Sequence, residues 1–505
     1  MRYGFVIDQN RCIGCHACTV ACKEEHNVPL GVFRTWVKYV EKGEYPQTRR
    51  YFAVLRCNHC DWAPCVEICP TVALYRRPDG IVDFDSDRCI GCKSCMQACP
   101  YDALYLDPNT HTAAKCNYCA HRVESGLEPA CVIVCPEQAI IAGDLDDPRS
   151  KISRVVTTQK VSLRKAEKGT RPKLFYAGVE EDLLQPVMLQ PETTYLWAEK
   201  KPDEDSLAFE KTTRPSPGAA REVYDVSHPA PWGARIAAYL WTKSIAAGVL
   251  LVATFLLAAG FAGEMTLLRV ASPLLAMVFT GVTTLLLISD LKRPERFYYL
   301  LVKPNLRSWL VWGGYILILY GVLSFLWLLF GLGGNAAPLW MASLAAMLAI
   351  CSAGYSAFLF AQAKGRDLWQ SRLFLWHLLT HATAAGSAAL IVAGAFLLSA
   401  ANVMLALRAI LAGSLLLNLA MILSELFLPH VNEPVRRATD LLKRGPLSRV
   451  FWVAVVLLGT VVPLILLFAF APSYLTFIGA SAFALMGLWV FEDLWVKAGQ
   501  AIPLS

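Results

Sequence analysis

Cysteine spacing constrains this chain more than any other feature. Sixteen of its seventeen cysteines lie between residues 12 and 135, in four groups of four. The groups are Cys12, Cys15, Cys18, Cys22; Cys57, Cys60, Cys65, Cys69; Cys89, Cys92, Cys95, Cys99; and Cys116, Cys119, Cys131, Cys135. Closely spaced thiolates can bind one [4Fe–4S] cubane, whereas a fourth cysteine, followed by proline, typically binds a neighbouring cluster. The spacing therefore predicts four [4Fe–4S] clusters and the transport of single electrons.

Three other uses of cysteine fit the pattern less well. Zinc ribbons have C-x-x-C pairs separated by longer gaps, whereas Cys12, Cys15 and Cys18 form an uninterrupted run. A disulfide framework requires an oxidising compartment, which the topology predicted below opposes. The segment from Cys12 to His16 matches the attachment pattern of c-type haem, but that assignment leaves Cys18 and Cys22 without a role.

The cysteine groups share local sequence, which indicates an internal repeat. Segments 8–15 and 85–92 resemble each other, and both end in Cys-Ile-Gly-Cys. Pro78-Asp79-Gly80, between two apolar runs, predicts a β-hairpin. A basic residue precedes the first cysteine of every group: Arg11, Arg56, Arg88 and Lys115. Such a cation either raises the cluster potential by favouring the more negative reduced form, or is a solvated charge beside a loop.

After residue 235 the sequence becomes strongly apolar. Overall it is 55% hydrophobic and only 17% charged. A helix that spans a bilayer needs about 20 predominantly apolar residues. Eight stretches meet this requirement: 236–261, 266–289, 309–331, 339–361, 373–399, 402–428, 450–471 and 474–494. This succession predicts an all-α membrane domain rather than a large soluble core.

Loop charge predicts the orientation of these helices. Loops on the side of the amino-terminal domain carry Lys292, Arg293, Arg296, Lys303, Arg307, Lys364, Arg366, Arg372, Arg436, Arg437, Lys443, Arg444 and Arg449. By the positive-inside rule this side is the cytoplasm. We therefore predict a multi-pass protein of the inner (cytoplasmic) membrane, with its iron–sulfur domain facing the cytoplasm. Basic loops facing anionic lipid explain the net charge of +7, so the charge does not indicate a nucleic-acid partner.

These motifs resemble two known families. Residues 1–180 are similar to the four-cluster iron–sulfur subunit of the molybdopterin oxidoreductase family (dimethyl sulfoxide and polysulfide reductase type) in all four group spacings. Residues 233–498 resemble the NrfD-type membrane anchor of polysulfide reductase, in helix count and in the stretch Asp290-Leu291-Lys292-Arg293-Pro294. The resemblance implies an α+β double ferredoxin-like iron–sulfur domain followed by an all-α membrane domain of eight transmembrane helices. Residues 181–232, polar and rich in proline, form either an extended linker or a segment that wraps the iron–sulfur domain or a partner.

The resemblance also implies that the cysteine groups exchange ligands in pairs. One pair of clusters would be bound by Cys12, Cys15, Cys18 and Cys135, and by Cys22, Cys116, Cys119 and Cys131. The other pair would be bound by Cys57, Cys60, Cys65 and Cys99, and by Cys69, Cys89, Cys92 and Cys95. In this family the two subunits are usually separate chains, and many relatives face outward, so the fusion and the predicted orientation are departures.

Ionisable residues inside a bilayer are costly, and each is therefore a candidate site. The candidates at similar depth near the iron–sulfur side are Lys243, Asp290, His377, His381 and Glu425, with Tyr355 nearby. A quinone needs hydrogen-bond donors and a proton route, which histidine and carboxylate supply. We predict a quinone/quinol site there; interhelical hydrogen bonds or snorkelling are the alternatives. No haem b is expected, because both histidines lie on one face of one helix.

These features together predict an electron-transfer and membrane-anchor subunit of a respiratory oxidoreductase complex. It would pass electrons between a cytoplasmic catalytic subunit of the molybdopterin type and the membrane quinone/quinol pool, with the substrate chemistry on the partner. The alternatives are the electron-transfer subunit of a membrane-bound hydrogenase, a stand-alone ferredoxin:quinone oxidoreductase, and an ion-translocating module. The last is disfavoured because the charged residues concentrate on one side of the membrane.

Overall fold

A computed structural model describes residues 1–186, 189, 220–261, 266–430 and 432–505. Within these residues the chain forms an α+β domain that carries all four cysteine groups, followed by a domain of long apolar helices. The predicted fold class is therefore confirmed.

The strands all belong to the amino-terminal domain or pair with it. They are β1 (Tyr3–Asp8), β2 (Thr35–Glu44), β3 (Gln47–Arg56), β4 (Leu74–Arg76), β5 (Val82–Phe84), β6 (Leu104–Leu106), β7 (Ala113–Lys115), β8 (Ile140–Asp144), β9 (Val161–Ser162), β10 (Leu174–Ala177) and β11 (Arg221–Tyr224). The short helices of this domain are α1 (Ala17–Glu25), α2 (Pro64–Ile68), α3 (Ser94–Ala98), α4 (Ala120–Glu124), α5 (Ala130–Ile133), α6 (Lys151–Thr158) and α7 (Glu181–Leu184).

The strands form two larger sheets and two hairpins. One sheet has the order β8-β1-β10-β9, in which β1 pairs with β10 in parallel and with β8 in antiparallel fashion. Phe5, Val6 and Ile7 of β1 are buried, as expected of aromatic and β-branched residues in a central strand. The second sheet has the order β11-β2-β3. Its long β2–β3 hairpin ends at Arg56, directly before the second cysteine group.

The internal repeat is visible in the backbone. The hairpin predicted around Pro78-Asp79-Gly80 is confirmed, since β4 pairs with β5, and β6 pairs with β7 after the next cysteine group. The helices α1 and α3 each begin after a residue in the left-handed conformation, His16 at φ 60 and Lys93 at φ 62. Two copies of one cluster-binding loop therefore keep the same local geometry.

In the described part of the chain, eight helices are long and apolar enough to cross a membrane. They are α8 (Ala234–Ala258), α9 (Leu267–Asp290), α11 (Trp309–Leu332), α12 (Leu339–Gln362), α13 (Phe374–Phe396), α14 (Ala401–Phe427), α16 (Ser448–Phe468) and α17 (Tyr474–Ala501). Two shorter helices lie between them, α10 (Tyr299–Val302) and α15 (Glu433–Lys443). The predicted spans match these helices to within a few residues, except that α17 extends past residue 494.

Small residues let the central membrane helices approach closely. Helices α8 and α13 cross where Gly248 meets Gly386; a Cβ built on Gly248 would lie 1.7 Å from the carbonyl oxygen of Ala382. Helices α16 and α17 cross in the same manner at Gly459 and Gly487. Without a hydrophobic driving force between helices in lipid, such close backbone packing holds a membrane bundle together.

The predicted linker, 181–232, is described only in part, because residues 187–188 and 190–219 lie outside the described residues. Its carboxyl-terminal end is attached to the iron–sulfur domain. Strand β11 pairs with β2, and the buried Lys38 on β2 forms ion pairs with Glu222 (2.7 Å) and Asp225 (3.2 Å). His228 Nδ1 lies 2.9 Å from the carboxylate of Asp102.

Candidate redox centres and electron path

The sixteen amino-terminal cysteines fall into four sets in space. Three sets each line a small cavity: set A (Cys12, Cys15, Cys18, Cys135), set C (Cys57, Cys60, Cys65, Cys99) and set D (Cys69, Cys89, Cys92, Cys95). In set B the sulfur of Cys22 is close enough to those of Cys116, Cys119 and Cys131 to interact electrostatically. Each set combines three cysteines of one group with one cysteine of another, which is the exchange that the family resemblance implies.

The chemistry of these sites suits an iron–sulfur cluster. Burial raises the pKa of Cys18 to about 11 and that of Cys119 to about 12. Iron binds the thiolate, so the deprotonated sulfurs need a cationic core to stabilise them in these buried positions. Backbone N–H groups also point at the sulfurs: the amide of Ala139 lies 3.2 Å from Cys135 Sγ, and that of Ala113 lies 3.4 Å from Cys89 Sγ.

The four sets form a row. Cys18 of set A interacts electrostatically with Cys131 of set B. Cys57 of set C does so with Cys116 of set B, and Cys95 of set D with Cys65 of set C. The order is therefore A, B, C, D. Cys15 of set A is exposed, so one end of the row lies at the surface of the protein.

Set D lies against the membrane domain; this domain and Trp232, directly before it, bind the backbone of three of the four set D cysteines. The Nδ2 of Asn305 donates a hydrogen bond to the carbonyl of Cys69 (2.8 Å). The guanidinium of Arg296 donates to the carbonyl of Cys89 (3.1 Å), and the indole of Trp232 donates to the carbonyl of Cys92 (3.3 Å). Set D is thus the set of cysteines that lies next to the membrane helices.

One predicted quinone residue, Asp290, belongs to this interdomain contact instead. Its carboxylate lies 2.8 Å from Nζ of Lys93, and both side chains are largely buried. The next residues of the membrane domain continue the contact: the amide of Lys292 donates to the carbonyl of Gly91 (3.3 Å), and that of Arg293 donates to the carbonyl of Ile90 (3.2 Å). The stretch that carried the family resemblance therefore packs against the loop that carries Cys89 and Cys92 of set D.

The two membrane histidines lie in a buried polar cluster between helices α13, α14 and α17. His377 Nε2 lies 3.1 Å from the carboxylate of Glu425, and His381 Nδ1 lies 3.4 Å from that of Glu492. Asn418 Oδ1 lies between the two rings, 3.4 Å from His377 Nδ1 and 3.1 Å from His381 Nε2. We call His377, His381, Asn418, Glu425 and Glu492 the histidine cluster. Three of them were predicted from the sequence as site residues: the two histidines, on one face of one helix, and Glu425 on a second helix.

Lys243 and Tyr355 form a second polar group next to the histidine cluster. Nζ of Lys243 donates hydrogen bonds to Ser356 Oγ (2.6 Å) and to the carbonyl of Ala353 (3.1 Å). It also lies 4.6 Å from the centre of the Tyr355 ring. Lys243 and Glu492 are close enough to interact electrostatically, so the two groups are neighbours.

A continuous chain of aromatic rings connects set D with the histidine cluster. It starts at the indole bound to the carbonyl of Cys92 and ends at the ring of His381. Successive ring centres are 4.7 to 6.1 Å apart along Trp232, Trp369, Phe360, Phe374, Trp495, Phe491 and His381. These contacts connect the two sites through packed aromatic side chains.

Sequence reasoning missed Asn418, Glu492 and Trp232. Glu492 was hidden because the last helix was expected to end at residue 494, where a carboxylate would lie at the membrane surface. The helix continues to Ala501, which places Glu492 roughly 14 Å from its end. A signal was present, since acidic residues within a stretch predicted to span the membrane are unusual. Asp493 beside it forms an ordinary pair with Lys497 (2.8 Å).

The fold and these sites define a class of protein: an iron–sulfur electron carrier fused to a membrane anchor. Comparisons agree with this. The family "Polysulphide reductase, NrfD" matches residues 222–503, "4Fe-4S dicluster domain" matches 48–145 and "4Fe-4S binding domain" matches 3–24. The chain therefore belongs to the NrfD family and carries a ferredoxin-type 4Fe–4S domain at its amino-terminal end.

Individual relatives are subunits of reductases. The B subunit of tetrathionate reductase from Salmonella typhimurium is 43% identical over 202 residues, covering 39% of this chain and 80% of the relative. A putative dimethyl sulfoxide reductase iron–sulfur subunit of Halobacterium salinarum is 37% identical over 265 residues, covering 45% and 96%. The arsenate respiratory reductase iron–sulfur subunit ArrB of a Shewanella species is 35% identical over 224 residues, covering 35% and 96%.

These relatives and the fold identify an electron-transfer and membrane-anchor subunit of a respiratory oxidoreductase complex. A hydrogenase subunit or a stand-alone ferredoxin:quinone oxidoreductase is not favoured by the relatives found.

Proposed function

We propose that four [4Fe–4S] clusters, bound by sets A to D, carry electrons between a molybdopterin-type catalytic subunit at set A and a quinone at the histidine cluster. The observation that carries this proposal is the uninterrupted path from the exposed Cys15, through the row of cysteine sets, to the aromatic chain that reaches His381. The clusters supply one-electron redox chemistry when bound, and the protein fixes their order.

The histidine cluster can both hold a quinone and exchange protons with it. A quinone bound there would replace Asn418 or a carboxylate as the hydrogen-bond acceptor of a ring N–H of His377 or His381. The carboxylate of Glu425 accepts a hydrogen bond from Ser371, which lies at the start of α13 on the iron–sulfur side. Protons taken up by a reduced quinone would therefore pass from this side through Glu425 and His377.

The partner surface is the face around set A. Apolar side chains stand exposed beside this set: Ile13, Val20, Ile133 and Val134. Exposed apolar residues clustered around a redox centre are typical of a protein interface. A catalytic subunit docked there would deliver electrons to the surface end of the row, and the family resemblance implies that this subunit is of the molybdopterin type.

We further propose that this face lies in the cytoplasm, at the inner membrane. The support is the positive-inside rule, applied to loops that also bind the iron–sulfur domain. Arg296 and Arg366, for example, use their guanidinium groups to bind Cys89 and Gln97 of that domain. Accessibility labelling of an introduced cysteine at Ser125, in intact cells and in lysed cells, tests the orientation; labelling of intact cells would contradict it.

The quinone proposal is tested with the purified complex. The variants His381→Leu and His377→Leu should abolish reoxidation of reduced clusters by added quinone, while iron content and cluster reduction by dithionite stay unchanged. His430→Leu is a matched control, because His430 bonds Thr439 outside the cluster. Unchanged quinone turnover in both histidine variants would place the site elsewhere.

Metal analysis tests the rest of the proposal. The complex extracted in mild detergent should contain about sixteen irons per chain, as four cubanes require, together with molybdenum or tungsten. Nickel in place of these metals would instead identify a hydrogenase partner, and no co-purifying subunit would favour a stand-alone quinone reductase.

A further inference from the structure

We propose that Arg56 is a shared counter-cation of the clusters in sets A and B, which donates hydrogen bonds to both and raises both reduction potentials. This inference rests on the proposed four-cluster function. It concerns a residue of this chain rather than the ligands themselves, and its test measures potentials rather than turnover.

Arg56 is buried to an unusual degree for a charged residue. It ends strand β3, pairs there with Thr35 of β2, and has 0% of its surface exposed. Burying a guanidinium is unfavourable unless negative charge is close. Within the described ranges no carboxylate forms an ion pair with Arg56, so its counter-charge has to come from another source.

The negative charge around Arg56 is sulfur. Its Nη1 lies 3.0 Å from Cys131 Sγ of set B. It also interacts electrostatically with Cys116 of the same set and with Cys18 of set A. The central carbon of the guanidinium also lies 4.8 Å from the centre of the Phe5 ring. The cation is therefore fixed between two neighbouring sets and shielded from water.

Among the described residues, two nitrogens of Arg56 have no hydrogen-bond acceptor. Both Nε and Nη2 are buried without a hydrogen-bond partner. A buried donor left unpaired is costly, and arginine presents its donors in a rigid planar fork. Sulfides and cysteinyl sulfurs of clusters bound by sets A and B would supply acceptors for these two donors.

The other basic residues that precede cysteine groups are placed differently. Lys115 is buried, but its ammonium donates to backbone carbonyls, among them that of Cys116 at 2.8 Å. Arg11 is exposed and Arg88 is half-buried. Arg56 is the member of this series whose guanidinium contacts a cluster sulfur.

The expected consequence is electrostatic. A cluster becomes more negative on reduction, so a fixed neighbouring cation favours the reduced form and raises the potential. Arginine does not deprotonate in proteins, so this contribution should not vary with pH. Because one cation faces two sets, its removal should lower two potentials together.

Redox-titrated EPR of the full-length protein tests this. Arg56→Gln should shift two of the cluster signals to lower potential, each by at least a tenfold change in the oxidised-to-reduced ratio, about 59 mV for a one-electron couple. Arg56→Lys should shift them less, because it keeps the charge and loses the fork. The control Arg11→Gln, exposed beside set A, should shift neither.

If the Arg56→Gln variant does not assemble its clusters, a measurement on the unaltered protein still tests the proposal. With nitrogen-15 in the guanidino groups of arginine, pulsed EPR should detect nitrogen coupling on a reduced cluster, and Arg56→Lys should remove it. Full iron content with unchanged potentials in Arg56→Gln, or the absence of this coupling, overturns the role of Arg56 alone. Iron far below sixteen per chain in the unaltered protein refutes the four-cluster function instead.

Discussion

The two ends of the cysteine row are built from the same loop and lie in opposite surroundings. In set A, Gly14 and His16 follow the first cysteines; in set D, Gly91 and Lys93 occupy the same positions. His16 bonds the hydroxyl of Tyr39 inside the iron–sulfur domain (2.8 Å), whereas Lys93 bonds Asp290 of the membrane domain (2.8 Å). One end stays at the surface and the other is enclosed.

The comparison shows that the cluster-binding motif does not set the direction of the electron path. The residues around each motif set it. The cysteines and their spacing are the same at both ends, and so is the left-handed residue before the helix. The two ends differ in the residue after the second cysteine, His16 in set A and Lys93 in set D. They also differ in the part of the protein that this residue contacts. Substitutions at equivalent positions of the two loops can therefore break or sharpen the comparison.

The largest effect is expected from removing a cluster at either end. Cys15→Ser in set A should abolish quinone reduction driven by the catalytic partner but keep reduction driven by a low-potential viologen dye, which can deliver electrons further along the row. Cys95→Ser in set D should abolish both, because no cluster remains next to the helices. Anaerobic quinone-reduction assays with the two donors measure this; dye-driven activity in the Cys95 variant would contradict the order of the sets.

Breaking the ion pair between the domains should have the next largest effect. Asp290→Asn leaves Lys93 charged and buried, at a cost of about 3–5 kcal/mol, so thermal unfolding of the complex should begin at a lower temperature. The double variant Lys93→Met with Asp290→Leu should recover part of the loss. Asp493→Asn, which breaks a pair whose lysine is largely exposed, should cost only about 0–1 kcal/mol and serves as the control.

Alanine substitutions at the equivalent glycines Gly14 and Gly91 should perturb different parts of the protein. Gly91 and Gly14 have φ values of 68° and 71°, so alanine is strained at both by about 1–2 kcal/mol. A Cβ on Gly91 would also lie 2.6 Å from Cβ of Lys292, whereas one on Gly14 would meet the Phe52 ring. Gly91→Ala should therefore speed hydrogen exchange at the amides of Lys292 and Arg293, and Gly14→Ala should leave it unchanged.

The smallest effect is a pH dependence in the segment that joins the domains. Burial acts to lower the pKa of His228, but the carboxylate of Asp102 raises it above its usual range. A raised pKa in the folded state stabilises the attachment below about pH 6.5, and this contribution is lost as the pH rises through the raised value. Proteolysis of residues 220–232, normalised to His228→Gln, should accelerate between pH 6 and pH 9. An equal pH response in the unaltered protein and in His228→Gln would show that His228 does not cause the pH dependence.

Parts of the candidate site were predictable because they depend on spacing along the chain. The cysteine runs predicted iron–sulfur binding, and the apolar stretches predicted the helices within a few residues. His377 and His381, one turn apart, were correctly expected on one face. Asp290 was assigned to the same site from its depth alone, because its partner Lys93 is remote in sequence and belongs to the other domain. The sequence also could not show which of the basic residues before the cysteine groups contacts a cluster sulfur. Their burial depends on how β2 and β3 pack over the cysteine sets.

Sequence alone determined that the amino-terminal half needs iron–sulfur ligation and that the carboxyl-terminal half needs a lipid environment. Cysteine spacing and the length of apolar stretches are local properties of the chain. Tertiary structure alone decided which set of cysteines faces the membrane, which cation lies between two sets and which carboxylates meet the histidines. Those outcomes depend on contacts between residues hundreds of positions apart, such as Gln97 and Gln500, and no local pattern records them.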